Sequence, residues 1–188
     1  MRRALVIGVM FVAVVGMFSC GLQALIGVGF TYTGQVPYGT VIGQWESFGV
    51  QAGIGTASRS HTQIGGSLTE IWYCVNGKYF FTLPVLGEAL QPYLGGGIVG
   101  VILDESWLVS GGTTVTISAS EVGGEVLGGL QYSFAASLGL PVVISGGASY
   151  MTVAEMTVTY VDADGTVTGT IVLPSGGIGV HFGIHVAF

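Results

Sequence analysis

Hydrophobic and polar residues alternate along most of the chain, most clearly in its last segment. There Ile178, Val180, Phe182, Ile184, Val186 and Phe188 fall on one face of an extended stretch, and Gly179, His181, Gly183, His185 and Ala187 on the other. Side chains of a strand point alternately to opposite faces, so this period of two predicts a strand with one apolar face. Its length matches the ~9–11 residues that a tilted strand needs to cross a bilayer.

The same period predicts eight strands, separated by glycine- and proline-rich turns. The first, about Leu25 to Gly34, sends Ile26, Val28, Phe30 and Tyr32 outward and Gly27, Gly29, Thr31 and Thr33 inward. Gln35 to Gly39 is read as a turn, because Pro37 has no donor for a central ladder position. A short second strand, Thr40 to Glu46, leads through a tight turn at Glu46-Ser47 into a third, Phe48 to Thr56. In the third, Phe48, Val50, Ala52 and Ile54 oppose Gly49, Gln51, Gly53 and Gly55. Arg59 to Gly66 is a polar loop. The fourth strand, Leu68 to Phe81, puts Ile71, Tyr73, Val75, Tyr79 and Phe81 outside and Trp72, Cys74, Asn76 and Lys78 inside.

The fifth strand, Gln91 to Leu103, carries glycine on both faces and has no readable phase. Asp104 to about Val122 is the longest candidate loop, with room for an extra strand pair around Thr113 to Ser118. The sixth, Gly124 to Ala135, sets Val126, Leu130, Tyr132 and Phe134 against Glu125, Gln131 and Ser133. The seventh runs from Val142 to Tyr160, with Glu155 inward, before a turn signal at Asp162-Ala-Asp-Gly165 and a returning segment, Thr166 to Val172. The eighth is the terminal segment described above.

Composition changes what this alternation means. Half of the 188 residues are hydrophobic, 7% are charged, and mean hydropathy is +0.75. Such a chain belongs in lipid, where only helices and closed barrels satisfy every backbone polar group. No stretch beyond residue 24 reaches the ~20 apolar residues of a membrane helix. Tyr93 to Leu103 comes nearest and holds four glycines. At the amino end, Met1-Arg2-Arg3 precedes the apolar run Ala4 to Ser19, with Leu22 and Ala24 placed for cleavage. Residues 1–24 therefore read as a cleavable signal helix and 25–188 as one barrel domain. The rival reading is lipoprotein processing at Cys20, where Phe18 is bulky for a position that prefers small residues.

Loss of Arg2 and Arg3 leaves Arg59 and Lys78 as the only lysine or arginine against ten acids, which excludes a basic nucleic-acid surface. Cys74 then has no partner for a disulfide. The fold expected is all-β: an eight-stranded antiparallel up-and-down transmembrane β-barrel.

Two motifs carry a resemblance. Gln91-Pro-Tyr-Leu-Gly-Gly-Gly97, following Lys78-Tyr-Phe-Phe81 and a turn, resembles the middle hairpin of small bacterial outer-membrane barrels of the opacity and OmpW-like group. The terminal Phe182, Ile184, Val186 and Phe188 resemble the closing strand that the barrel-assembly machinery recognises. The resemblance implies residence in the bacterial outer membrane, with membrane lipid and the assembly machinery as partners.

Candidate chemistry is sparse. His181 and His185, four apart on a strand, stand roughly 13 Å from each other at ~3.3 Å per residue and cannot share one metal. Asp162-Ala-Asp-Gly165 looks like a fragment of a calcium loop but lacks the later bidentate glutamate. No catalytic residues, no cofactor and no metal site are expected. The phase instead assigns a set of polar groups to the lumen: Glu46, Gln51, Asn76, Lys78, Glu125, Gln131, Glu155, His181 and His185. Lys78 needs compensation there, with Glu46 expected first and Glu125 or Glu155 next. The inward glycines leave two alternatives, space for water or a slender ligand, or a tightly curved wall.

Outside, Tyr32, Trp45, Tyr79, Phe81, Tyr132, Phe134, Tyr150 and Phe188 fall near strand ends, as in the aromatic girdles of membrane barrels. The expected role is structural or surface-interacting, without catalytic activity. A narrow channel or binding barrel for small, apolar molecules is the alternative, its ligand unspecified. A soluble secreted lipocalin-like barrel is disfavoured, because here the polar side chains share the face opposite the apolar one.

Overall fold

A computed structural model describes residues 25–33, 36–61, 66–84, 89–109, 113–134, 138–153, 156–161, 167–173 and 177–187. The expected signal helix, Glu155, the 162–165 turn and Phe188 lie outside the described residues.

Ten strands form. They are β1 (Leu25–Thr33), β2 (Val36–Trp45), β3 (Phe48–His61), β4 (Gly66–Phe80), β5 (Leu90–Val109), β6 (Thr113–Ser133), β7 (Val142–Thr152), β8 (Met156–Val161), β9 (Val167–Leu173) and β10 (Gly177–Ala187). Eight close into a barrel in the order β1-β10-β7-β6-β5-β4-β3-β2, every pair antiparallel; β8 and β9 form a separate hairpin. Closure runs from Gly27↔Ala187 to Thr33↔His181, so β10, the last strand and the most regular alternation in the sequence, closes the barrel onto the first. One end of the barrel carries the turns β2–β3, β4–β5 and β6–β7; the other carries the long β5–β6 hairpin and β8–β9.

The barrel is apolar outside. Ile178, Phe30, Val180 and Val126 are 83, 73, 68 and 65% exposed, while Gln51, Asn76, Glu125, Gln131, His181 and His185 are all 5% or less. That polarity is the reverse of a soluble barrel's and is the pattern of one that spans a membrane. Aromatic rings gather at the short-turn end, where Phe48, Tyr79 and Phe81 stack edge-on in series at 5.1 and 5.0 Å, and Tyr132 meets Phe134 at 4.8 Å. Tyr32 and Tyr150 stay exposed toward the opposite end.

Several strand limits differ from expectation, for one physical reason. Ladder hydrogen bonds are made by backbone, so a hairpin continues past its apolar stretch wherever its two arms stay in register. Arg59 to His61 thus remain in β3, paired with Leu68 to Gly66. The expected loop 104–122 is instead the outer part of a β5–β6 hairpin that stays paired to Val109↔Thr113. Pro37 lies inside β2, opposite Tyr32. It is tolerated because its carbonyl faces β3, the side on which the β2–β3 ladder has already ended at Tyr38↔Gly55. The expected seventh strand is two elements: β7 leaves the wall after Thr152, and β8 pairs with β9 outside it.

The inward glycines serve curvature. Gly129 on β6 and Gly147 on β7 are direct neighbours. A Cβ on the first would lie 2.8 Å from the Cα of the second, and the converse distance is 2.7 Å. A Cβ on Gly29 would lie 2.7 Å from the Cα of His185. These strands touch along their inner edges, and no space remains at those positions for a side chain.

Candidate functional site

Among the described residues, polar side chains converge in the barrel interior, which is built in three layers. At the long-hairpin end the layer is apolar: Val36, Tyr38, Leu68, Trp72, Cys74, Val99, Val101, Leu103, Ile117, Met151 and Val153 form one buried cluster. Within it Trp72 Nε1 donates to Glu70 Oε2 at 2.7 Å, which lets the largest ring of the plug be buried with its N–H satisfied.

The middle layer is polar and tied across strands. His185 Nε2 on β10 is 2.8 Å from Thr40 Oγ1 on β2. Thr40 Oγ1 lies 3.2 Å from Thr31 Oγ1 on β1, and Gln51 Nε2 on β3 donates to that Thr31 oxygen at 3.0 Å. On the other side Asn76 Nδ2 on β4 donates to Glu125 Oε2 on β6 at 2.7 Å. The hydroxyl of Tyr93 on β5 is hydrogen-bonded to Nε2 of His181 on β10. Lys78 Nζ stands over the Tyr93 ring, 4.7 Å from its centroid, a cation–π contact.

The third layer, toward the short turns, holds Phe80 and Tyr93, whose ring centroids are 5.7 Å apart, with Leu127 beside them. Gln131 Nε2 on β6 donates to Gln44 Oε1 on β2 at 2.6 Å, and Gln44 Nε2 donates to Gln91 Oε1 on β5 at 2.9 Å. The three glutamines span the mouth. Between the layers, among the described residues, lies a cavity of about 10 Å³ lined by Thr31, Tyr38, Gln51, Cys74, Asn76, Glu125, Leu127 and His181. Asn76 Oδ1, Ser149 Oγ, His181 Nδ1 and His185 Nδ1 are buried without a partner.

Of the polar groups assigned to the lumen by phase, Gln51, Asn76, Lys78, Glu125, Gln131, His181 and His185 are buried inside the barrel. Glu46 is not. It is exposed at the β2–β3 turn with a φ of 51°, because the tight turn needs a left-handed residue at the point where the strand had been expected to continue. It therefore cannot reach Lys78, and among the described residues Lys78 makes its contact with the Tyr93 ring rather than an ion pair with a carboxylate. Glu155 lies outside the described residues.

Sequence phase missed Tyr93, Gln91, Gln44 and Glu70. Tyr93 and Gln91 sit on β5, where Gly95-Gly-Gly97 erases the alternation; the register Phe80↔Tyr93 would have supplied it. Glu70 shares the phase of Trp72 and was legible from it. Chemically the interior offers neutral hydrogen bonding, the carboxyl groups of Glu70 and Glu125, and the amine of Lys78. Neither histidine Nε2 is bonded to a serine, the partners being Thr40 and Tyr93. Among the described residues no three His, Cys, Asp or Glu side chains are grouped to hold a metal.

No family model matches the chain, and no curated protein matches it. Solved structures do. A major outer membrane protein from Thermus thermophilus superimposes with a TM-score of 0.60 at 12% identity, covering 88% of this chain and 100% of that one. The N-terminal β-barrel domain of Pseudomonas aeruginosa OprF does so with a TM-score of 0.50 at 11% identity, covering 88% and 96%. The chain therefore has the fold of a small, eight-stranded outer-membrane β-barrel.

Proposed function

We propose that the protein is an integral barrel of the bacterial outer membrane with a structural or surface-interaction role, and that it neither conducts solutes nor catalyses a reaction. The observation that carries this reading is the Gln44–Gln131 bond, which ties opposite walls together at one mouth while the apolar cluster fills the other. A cavity of about 10 Å³ has no room for a small apolar solute, which weighs against a narrow channel or binding barrel. The exposed apolar wall weighs against a soluble ligand carrier. What the protein presents outside the wall is hairpin: the outer part of β5–β6, and β8–β9.

Liposome swelling tests the proposal. Vesicles containing the refolded protein are expected to swell in a small sugar no faster than empty vesicles, and faster swelling would overturn the closed-barrel reading.

A further inference from the structure

The outer wall has a recess. On β2 the outward positions are small, Pro37, Gly39 and Val41, and the register sets Gly39 directly between Phe30 of β1 and Ile54 of β3. A large side chain, none, and a large one again across three adjacent strands leave a groove of about 810 Å³. Val28, Phe30, Tyr32, Ile54, Phe182 and Ile184 wall it, with no charged group among its lining residues. Unlike the inward glycines, Gly39 is not required by packing: a Cβ built there meets only the Ile54 carbonyl oxygen, at 3.8 Å. Strand axes ~4.8 Å apart place β1 and β3 roughly 10 Å from each other, and the flanking side chains narrow this to the width of one hydrocarbon chain.

A second feature lies at the upper end of the same groove. The β1–β2 ladder ends at Thr33↔Val36, yet its neighbours continue. β3 runs on past its last β2 partner, Gly55, to His61, and β10 begins at Gly177, before its first β1 partner, His181. Among the described residues, those stretches of β3 and β10 pair on one side only. Open ladder edges do not persist in hydrocarbon, so this notch belongs at the polar interface, with the groove descending from it into the membrane.

We propose that the groove holds one acyl chain of an outer-membrane lipid at a fixed position, its headgroup meeting, in the notch, the backbone edges of β3 and β10 that no described strand pairs. The assignment rests on the membrane placement proposed above. The occupant follows from continuity with the apolar wall around it: a hydrocarbon chain fits the narrow uncharged trough, and a polar headgroup fits the edge above it. A second copy of the chain, the other candidate for an apolar recess, would leave those backbone groups unmet.

The test is native mass spectrometry of protein refolded into palmitoyl-oleoyl phosphatidylethanolamine vesicles and released in mild detergent. Gly39→Phe fills the groove. Gly77→Phe is the control, since Gly77 faces outward on β4 with similar open space, its nearest neighbour being the Gly96 carbonyl oxygen at 3.8 Å. Gly39→Leu covers the case in which Phe impairs folding. Wild type and Gly77→Phe are expected to retain one lipid, with occupancy falling roughly tenfold in the Gly39 variants. Equal retention in all forms, or a wild-type dimer that the Gly39 variants lose, would overturn the proposal. A wild-type barrel that inserts but retains no lipid refutes the groove alone; one that does not insert refutes the membrane placement as well.

Discussion

Gln44 on β2 and Gln131 on β6 stand four strands apart whichever way the wall is followed, and Nε2 of Gln131 donates to Oε1 of Gln44 at 2.6 Å. The bond therefore crosses the full width of the barrel. An eight-stranded barrel has an interior just wide enough to be filled by side chains, and two glutamines reaching toward each other span it. Gln91 secures the arrangement from a third strand, because it accepts from the other end of the same Gln44 amide.

Tyr93 and His181 tie β5 to β10 in the layer behind. Replacing Tyr93 by Phe keeps the ring against Phe80 and removes the partner of a buried histidine nitrogen whose ring already has Nδ1 unpaired. The expected cost is about 1–3 kcal/mol in urea unfolding of the refolded barrel. Adding His181→Leu should recover most of it, since removing both partners of a buried hydrogen bond is nearly neutral. An unchanged midpoint in Tyr93→Phe would mean that the bond contributes nothing.

Gly129 and Gly147 set the curvature of the β6–β7 wall. Gly147→Val places carbon atoms against the backbone of β6 and should cost at or above the upper end of the ~1–3 kcal/mol typical of overpacking. Gly39→Ala, on the open outer face, should change stability by less than about 1 kcal/mol. Heat-dependent gel migration and unfolding in detergent read both. Equal tolerance at the two sites would contradict the role given to the inner glycines.

Phe182 lies at the centre of the outward face of β10 and is 51% exposed. In hydrocarbon, Phe182→Arg should cost up to ~2–4 kcal/mol, the range for arginine at the bilayer midplane. Reversible folding into vesicles measures this. A cost near zero would place that face in water.

The sequence carried the inside-out polarity of the barrel clearly, because Ile178 to Val186 and Ile71 to Tyr79 alternate large apolar side chains with polar or small ones. It carried less where glycine occupies both faces, as on β5, so Tyr93 was invisible although it organises the Lys78 and His181 contacts. Glu46 was misplaced by a strand drawn one residue too long, an error that reverses a side chain's environment at a tight turn. The outer β5–β6 hairpin escaped because its sequence is rich in polar residues, Thr113 to Ser118 included, whereas the backbone register continues to Val109↔Thr113. The diametric Gln44–Gln131 contact depends on which strands face each other across the closed wall, and no local pattern encodes that.

Ionic current through the refolded protein in a planar bilayer tests the closed lumen most directly. Wild type should give no stable conductance steps, and Gln44→Ala combined with Gln131→Ala should remain silent while the apolar layer around Trp72 still seals the opposite end. Adding Trp72→Ala to that pair should open measurable steps. Steady, well-defined conductance from the wild-type barrel would contradict the account.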